Sequence, residues 1–179
     1  AEEFATKAHK GQLRKDGKTP YINHCAGVVS LLKEEGITDS DIICAGWLHD
    51  VIEDCGITEE TIETEFNSNI ARIVYQLTRN VNRETYKERI KNGDYKVQIV
   101  KLADTIHNCS ELTHPNILPK TIMTKIEDCK SLYFELAKKI SPRFFVLLKK
   151  YPRKFIVKAL FSFSTFFFPV EFETYSKAL

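Results

Sequence analysis

Ile42-Ile43-Cys44-Ala45-Gly46-Trp47-Leu48-His49-Asp50-Val51-Ile52 is apolar nearly all round until two adjacent ionisable residues interrupt it. A surface helix would carry polar residues along one face, so this stretch reads as a central helix. An imidazole beside a carboxyl is costly to bury unless the two are paired or hold a cation. Glu53 and Asp54 follow four residues on. An unbroken 3.6-residue period would stack His49 with Glu53 and Asp50 with Asp54. One helix end would then present an imidazole and three carboxyl groups to a single region. A solvated acidic helix end is the alternative, but it leaves the His and the apolar flanks unexplained.

Helical spacing recurs to either side. Cys25, Val28, Val29 and Leu32 fall at i, i+3, i+4 and i+7, the stripe of an amphipathic helix. Asp39 starts the central segment. Thr58 reads as an N-cap, with Glu59 and Glu60 favourably placed behind it. Ser68 reads as the cap of a helix carrying Ile70, Ile73, Val74 and Leu77. Val97, Val100 and Asp104 lie on another, and Ile122 to Leu136 suits a long one. Gly11 to Pro20 is basic and turn-rich, a loop between two helices. No stretch alternates with period two, and seven Gly and six Pro are few for a chain of short strands. The expected class is all-α, a helical bundle with a C-terminal helical extension.

The 179 residues, 43% hydrophobic and 28% charged, suit one globular core and exclude a disordered chain. A net charge of +2 excludes a strongly basic arm for nucleic acid. Five Cys, with no C-x-x-C pair, read as reduced thiols of a cytoplasmic protein. Ala1-Glu2-Glu3-Phe4 shows no basic segment leading into an apolar run, so no signal peptide is expected. Composition shifts late: nine of the twelve Phe lie beyond Arg143. The expected division is a domain over 1–140 and an aromatic-rich helical extension over 141–179 that packs on it. Phe155 to Phe168 is too short to span a membrane, which takes about 20 apolar residues. A partner or dimer face, or contact with a membrane surface, are the alternatives for this tail.

A cation at His49 and Asp50 needs further ligands from other helices. His24 opens a helix after Pro20-Tyr21-Ile22-Asn23, and Asp104 sits beside apolar Val100, Leu102 and Ala103. Each alone is ordinary. Together, His24, His49, Asp50 and Asp104 supply two imidazoles and two carboxylates, a set suited to manganese, iron or zinc.

The order H…HD…D resembles the HD phosphohydrolase superfamily, and the longer string resembles the hydrolase domain of the RelA/SpoT family. Phe4-Ala5, Ala8-His9 and Gly11-Gln12 match that family's opening helix. Arg14-Lys15-Asp16-Gly17, Pro20-Tyr21-Ile22 and His24 match its substrate loop and first ligand. Leu48 to Asp54 matches the second and third ligands and an acid pair. Lys101 to Asp104 with His107-Asn108 matches the fourth ligand and a nucleotide-contacting Asn. The short chain is similar to the single-domain small alarmone hydrolases of the metazoan SpoT-homologue type.

The resemblance implies one Mn²⁺ held by His24, His49, Asp50 and Asp104, with Glu53 and Asp54 as the catalytic acid pair. It implies hydrolysis of the 3′-pyrophosphate of ppGpp or pppGpp. Arg14 and Lys15 would bind its phosphates, Lys101 is within one turn of Asp104 for the same task, and Asn108 would meet the nucleoside. Tyr21 would stack on the base or plug the core. Dinuclear relatives bring further His between HD and the last Asp, whereas no His occurs over 50–103 here. One metal is therefore expected. His107 is expected to pack or hydrogen-bond. Thr105 stands where longer members carry Arg, and Cys55 where Thr is common. The expected partner is a nucleotide, with no nucleic acid, no membrane span and self-association open. Another HD phosphohydrolase, acting on a dNTP, nucleoside monophosphate or NADPH, is the competing enzyme. A silent nucleotide-sensing module is the non-enzymatic alternative. Cys-His nucleophilic catalysis is disfavoured, because no Cys has a visible reason for a depressed pKa.

Overall fold

The structure, a computed structural model, describes residues 1–112 and 119–150. It divides into a unit of Ala1–Asn108 and a second unit beginning at Cys109. Among the described residues the regular elements are helical, and extended pairing is confined to an isolated bridge between Leu13 and Pro20.

In the first unit, α1 (Glu2–Ala8) leads into the expected loop, and α2 (Ile22–Glu34) follows. The loop closes on itself: Arg14 N–H donates to the Thr19 carbonyl at 2.7 Å and Tyr21 N–H to the Gln12 carbonyl at 2.9 Å. Asp16 Oδ1 accepts from the N–H groups of Lys18 and Thr19, each at 2.9 Å. The predicted stripe of α2 is buried, with His24 on the same face. Next comes α3 (Ser40–Leu48), capped by Asp39, whose side chain accepts from Asp41 N–H at 2.9 Å. Gly46 lets α2 and α3 approach: a Cβ there would lie 2.9 Å from Leu32 Cδ1 and 3.1 Å from Val29 Cγ2. Fully buried Leu32, Val28, Ala45 and Leu48 fill this contact. Each large aliphatic chain removed from water in this way contributes about 1.5–3 kcal/mol.

The central helix is not continuous, contrary to its periodicity. It stops at Leu48, and α4 (Val51–Cys55) starts afresh. Asp50 between them has φ −107° and ψ −2°, in the sparsely allowed bridge region. His49 Nδ1 donates to the Gly46 carbonyl at 2.8 Å, so a side chain satisfies an acceptor in the last turn of α3. The stacking of His49 on Glu53 therefore does not apply, and the HD pair sits at a corner.

α5 (Glu59–Glu65), capped by Thr58 as predicted, packs on α6 (Ser68–Leu77), and α6 packs on α3. The cap of α6 is Asn67 rather than Ser68: Asn67 Oδ1 accepts from Ile70 N–H at 2.8 Å. Asn67 holds the extended backbone a cap needs, whereas Ser68 is already helical. α7 (Arg83–Asn92) and α8 (Tyr95–Glu111) follow. Val97, Ile99, Val100, Leu102, Ala103 and Ile106 on α8 are buried, and Asp104 and Thr105 are buried among them.

In the second unit the long helix expected over Ile122 to Leu136 is present as one uninterrupted helical run, α9 (Pro119–Asp128), a π-helical turn (Cys129–Tyr133) and α10 (Phe134–Ile140). Ser141 Oγ then accepts from Phe144 N–H at 3.0 Å, capping the helical residues 142–150. Phe144 and Leu148 are fully buried. Residues 151–179, which include the Phe155–Phe168 stretch and most of the expected extension, lie outside the described residues, as does His114. Among the described residues no helix is long and apolar enough to cross a membrane. All five Cys are free thiols.

Candidate metal centre

Two helices and the corner at residues 49–50 bring four of the predicted residues together. His24 comes from α2, His49 and Asp50 from the corner, and Asp104 from the buried run of α8. His24 Nε2 lies 3.1 Å from His49 Nε2, 3.2 Å from Asp104 Oδ1 and 3.6 Å from Asp50 Oδ2. His49 Nε2 lies 2.9 Å from Asp50 Oδ2 and 3.8 Å from Asp104 Oδ1. His24, His49 and Asp104 are buried and each offers a ligand atom to one point.

The tautomers sharpen this. A carbonyl only accepts, so His49 carries a proton on Nδ1, facing Gly46, and a neutral ring turns its Nε2 lone pair into the cluster. With His24 Nε2 and two carboxylate oxygens beside it, the cluster consists of acceptors. Such a group is stable only around a proton or a cation. Donor atoms about 2.1 Å from one cation and at right angles to it lie about 3 Å apart, close to the spacings found here. The residues fit a divalent metal.

Further polar side chains reach three of the four residues. Tyr21 O–H donates to Asp50 Oδ2 at 2.6 Å. Lys101 Nζ donates to Asp104 Oδ2 at 2.7 Å, and Asn108 Nδ2 donates to Asp104 Oδ1. His107 Nδ1 lies 2.9 Å from His24 Nδ1. His107, expected to pack or hydrogen-bond, does so against His24, a partner the sequence reading did not name. The signal was present: 104, 107 and 108 fall at i, i+3 and i+4, one face of α8. His9 was unassigned. Its ring stacks on Tyr21 with centroids 4.6 Å apart, and its Nδ1 lies 2.8 Å from Gln12 Oε1.

The other predicted residues surround this centre unevenly. Arg14 Nη2 donates to Asn108 Oδ1 at 2.8 Å, and its guanidinium lies 5.0 Å from the Tyr21 ring centroid. Arg14, Asn108 and Asp104 thus form one chain of hydrogen bonds. Lys15 is exposed on the same loop. Glu53 and Asp54 are exposed on α4. Glu53 Oε2 accepts from Arg79 N–H at 2.8 Å, while the Asp54 carbonyl accepts from Gln12 Nε2 at 3.0 Å. Cys55 Sγ lies 3.2 Å from His9 Nδ1, and burial raises its thiol pKa. Thr105 Oγ1 donates to the Lys101 carbonyl at 2.8 Å, turned back onto its own helix.

Burial disfavours charge on His49, but Asp50 and Asp104 outweigh it and lift the pKa to about 9. Burial keeps His24 below the ordinary His range despite Asp104. For Asp50, burial pushes upward, and His49 more than offsets it and holds the carboxyl below its usual range. Asp104 is held well below that range by Lys101 and both imidazoles, against its burial. Both carboxylates are therefore ionised at neutral pH, the form in which they ligate metals.

The profile of the HD domain family matches residues 1–141. The Xenopus tropicalis guanosine-3′,5′-bis(diphosphate) 3′-pyrophosphohydrolase MESH1 is 39% identical over 120 residues, 63% of this chain and 67% of that protein. Its Homo sapiens counterpart is 35% identical over 120 residues, with the same shares covered. The Danio rerio counterpart is covered over 65% of its length, so the chain spans about two thirds of these relatives. The solved structure of a metazoan orthologue of SpoT that hydrolyses ppGpp superposes with a TM-score of 0.68 at 26% identity. That match covers 86% of this chain and 92% of the other. With the helical fold and these likenesses in agreement, the chain belongs to the HD domain family and, within it, groups with the MESH1 proteins.

Proposed function

We propose that this chain is a manganese-dependent 3′-pyrophosphohydrolase of guanosine 3′,5′-bis(diphosphate), releasing pyrophosphate and leaving GDP, or GTP from the pentaphosphate. The observation that carries the reading is the cluster of acceptors formed by His24, His49, Asp50 and Asp104, in a chain whose relatives carry that activity in their names. When bound, a divalent cation supplies Lewis acidity that makes water nucleophilic at neutral pH and offsets phosphate charge.

The chain's own residues divide the remaining work. Glu53 and Asp54 stand on α4, immediately past the corner, where an exposed carboxylate can orient water and take its proton. Arg14 and Lys15 bring positive charge to the loop beside the cluster, suited to a pyrophosphate. Lys101 neutralises Asp104 and adds charge near the same phosphates. Asn108 offers an amide to the nucleoside, and Tyr21 forms the wall between the loop and Asp50. Water adds across the ester joining the 3′ oxygen to pyrophosphate, and the nucleoside leaves with a 3′ hydroxyl. Residues 1–140 are read as the hydrolase domain and 141–179 as its extension, on the shift in composition. Five free thiols suit a reducing compartment such as the cytoplasm.

The test is incubation of the purified protein with ppGpp, with and without Mn²⁺, resolved by anion-exchange chromatography. GDP and pyrophosphate should appear only with the metal. Turnover of a dNTP, a nucleoside monophosphate or NADPH in parallel samples, with ppGpp untouched, would contradict the assignment. Glu53→Gln should abolish turnover and leave ppGpp binding, which separates an enzyme from a nucleotide sensor.

A further inference from the structure

We infer that His107 is a positioning residue for the ligand His24, and that Gly27 keeps the space in which it works. The inference rests on the metal reading of the cluster and adds two residues to it. His24 Nε2 faces His49, Asp50 and Asp104. To ligate through that atom, the neutral ring must carry its proton on Nδ1. Nδ1 lies 2.9 Å from His107 Nδ1. Only one of two facing nitrogens can hold the proton, so His107 must present a bare Nδ1 and keep its own proton on Nε2. The rings meet edge to face, with centroids 4.8 Å apart and planes at 63°. That contact orients the His24 ring, and a bare His107 Nδ1 would hold its proton on Nδ1.

The approach of His107 to α2 depends on a missing side chain. A Cβ at Gly27 would lie 2.0 Å from His107 Nε2 and 2.1 Å from Cδ2. An aromatic ring cannot bend away from such a contact, so any larger residue at 27 must displace it. Gly27 has no positive φ to account for it. Its position three residues after His24 on α2 faces α8, where His107 stands three residues after Asp104. Two helices thus each supply a ligand, a supporting ring on one and the room for it on the other. Partners of this outer kind set metal affinity by about 10–100-fold.

The experiment is titration of Mn²⁺ alone into the metal-stripped full chain, by calorimetry, for the parent, His107→Phe, His107→Asn and Gly27→Ala, with thermal melts as a check of folding. His107→Phe keeps a ring but removes the acceptor, and its affinity should fall by about 10–100-fold. His107→Asn places an oxygen where Nδ1 stood and should stay near the parent. Gly27→Ala should weaken binding as the Phe variant does. A folded His107→Phe that binds like the parent overturns the inference and leaves the metal reading intact. A parent that binds no Mn²⁺ sinks both. If the variants fail to fold, ¹⁵N spectra of the Zn²⁺-loaded parent decide: a His107 ring protonated on Nε2 supports the inference, and one protonated on Nδ1 overturns it.

Discussion

Asp50 occupies the bridge region of backbone space, and its carboxylate meets both imidazoles and the Tyr21 hydroxyl. Asp50→Ala and His49→Ala should each lose bound manganese and turnover together, which metal analysis of the purified variants checks. Normal metal content in either would refute the ligand set. Tyr21→Phe keeps the ring against His9 and deletes the bond to Asp50, so Mn²⁺ affinity should fall by about tenfold with the fold retained. Protons compete for the same site. In the metal-free chain the raised His49 pKa stabilises the fold below its unfolded value of about 6.5, and that contribution is lost as pH rises through about 9. Metal takes the same Nε2 lone pair and expels the proton, so affinity should rise as pH climbs towards 9, about tenfold per unit for one proton. Calorimetric titration at pH 6, 7 and 8 measures it, and a flat profile would contradict the His49 assignment.

The elements were legible where side chains advertise them locally. The stripe of α2, the Asp39 and Thr58 caps and the turn-rich loop all follow from patterns within a few residues. The corner between α3 and α4 was not, because the apolar run continues on both sides of it, and the His49 side chain that bonds the Gly46 carbonyl there carries no break signal in sequence. Two adjacent cap-competent residues, Asn67 and Ser68, likewise cannot be ranked by type alone. The structure ranks them: Asn67→Ala should cost about 1 kcal/mol. Ser68→Ala, inside the first turn, should cost a few tenths at most. Chemical denaturation of the two variants compares them, and equal losses would put the cap in the wrong place.

Over the whole chain, the four residues read as ligands are separated by 25 and 54 residues (24 to 49, and 50 to 104), yet the fold gathers them around the His24 and His49 rings. What spacing alone does not reveal is how the residues behind the ligands divide their duties. Lys101 and Asn108 read as substrate contacts, and both also hydrogen-bond Asp104. Tyr21 read as a base platform or a core plug, and its hydroxyl also reaches Asp50. Those contacts depend on ring rotations and helix register. A cation that ties the corner to α2 and α8 should also stabilise the fold. At a free concentration 100-fold above its Kd it would add about 2.7 kcal/mol. The melting temperature should therefore rise on adding Mn²⁺ and fall back with a chelator.

The most direct measurement is an anomalous difference map at the manganese absorption edge from crystals grown with Mn²⁺. One peak should appear among His24 Nε2, His49 Nε2, Asp50 and Asp104, within about 2.0–2.3 Å of each donor. A peak elsewhere, or side chains at 24, 49, 50 and 104 turned to separate places with the metal present, would contradict the assignment.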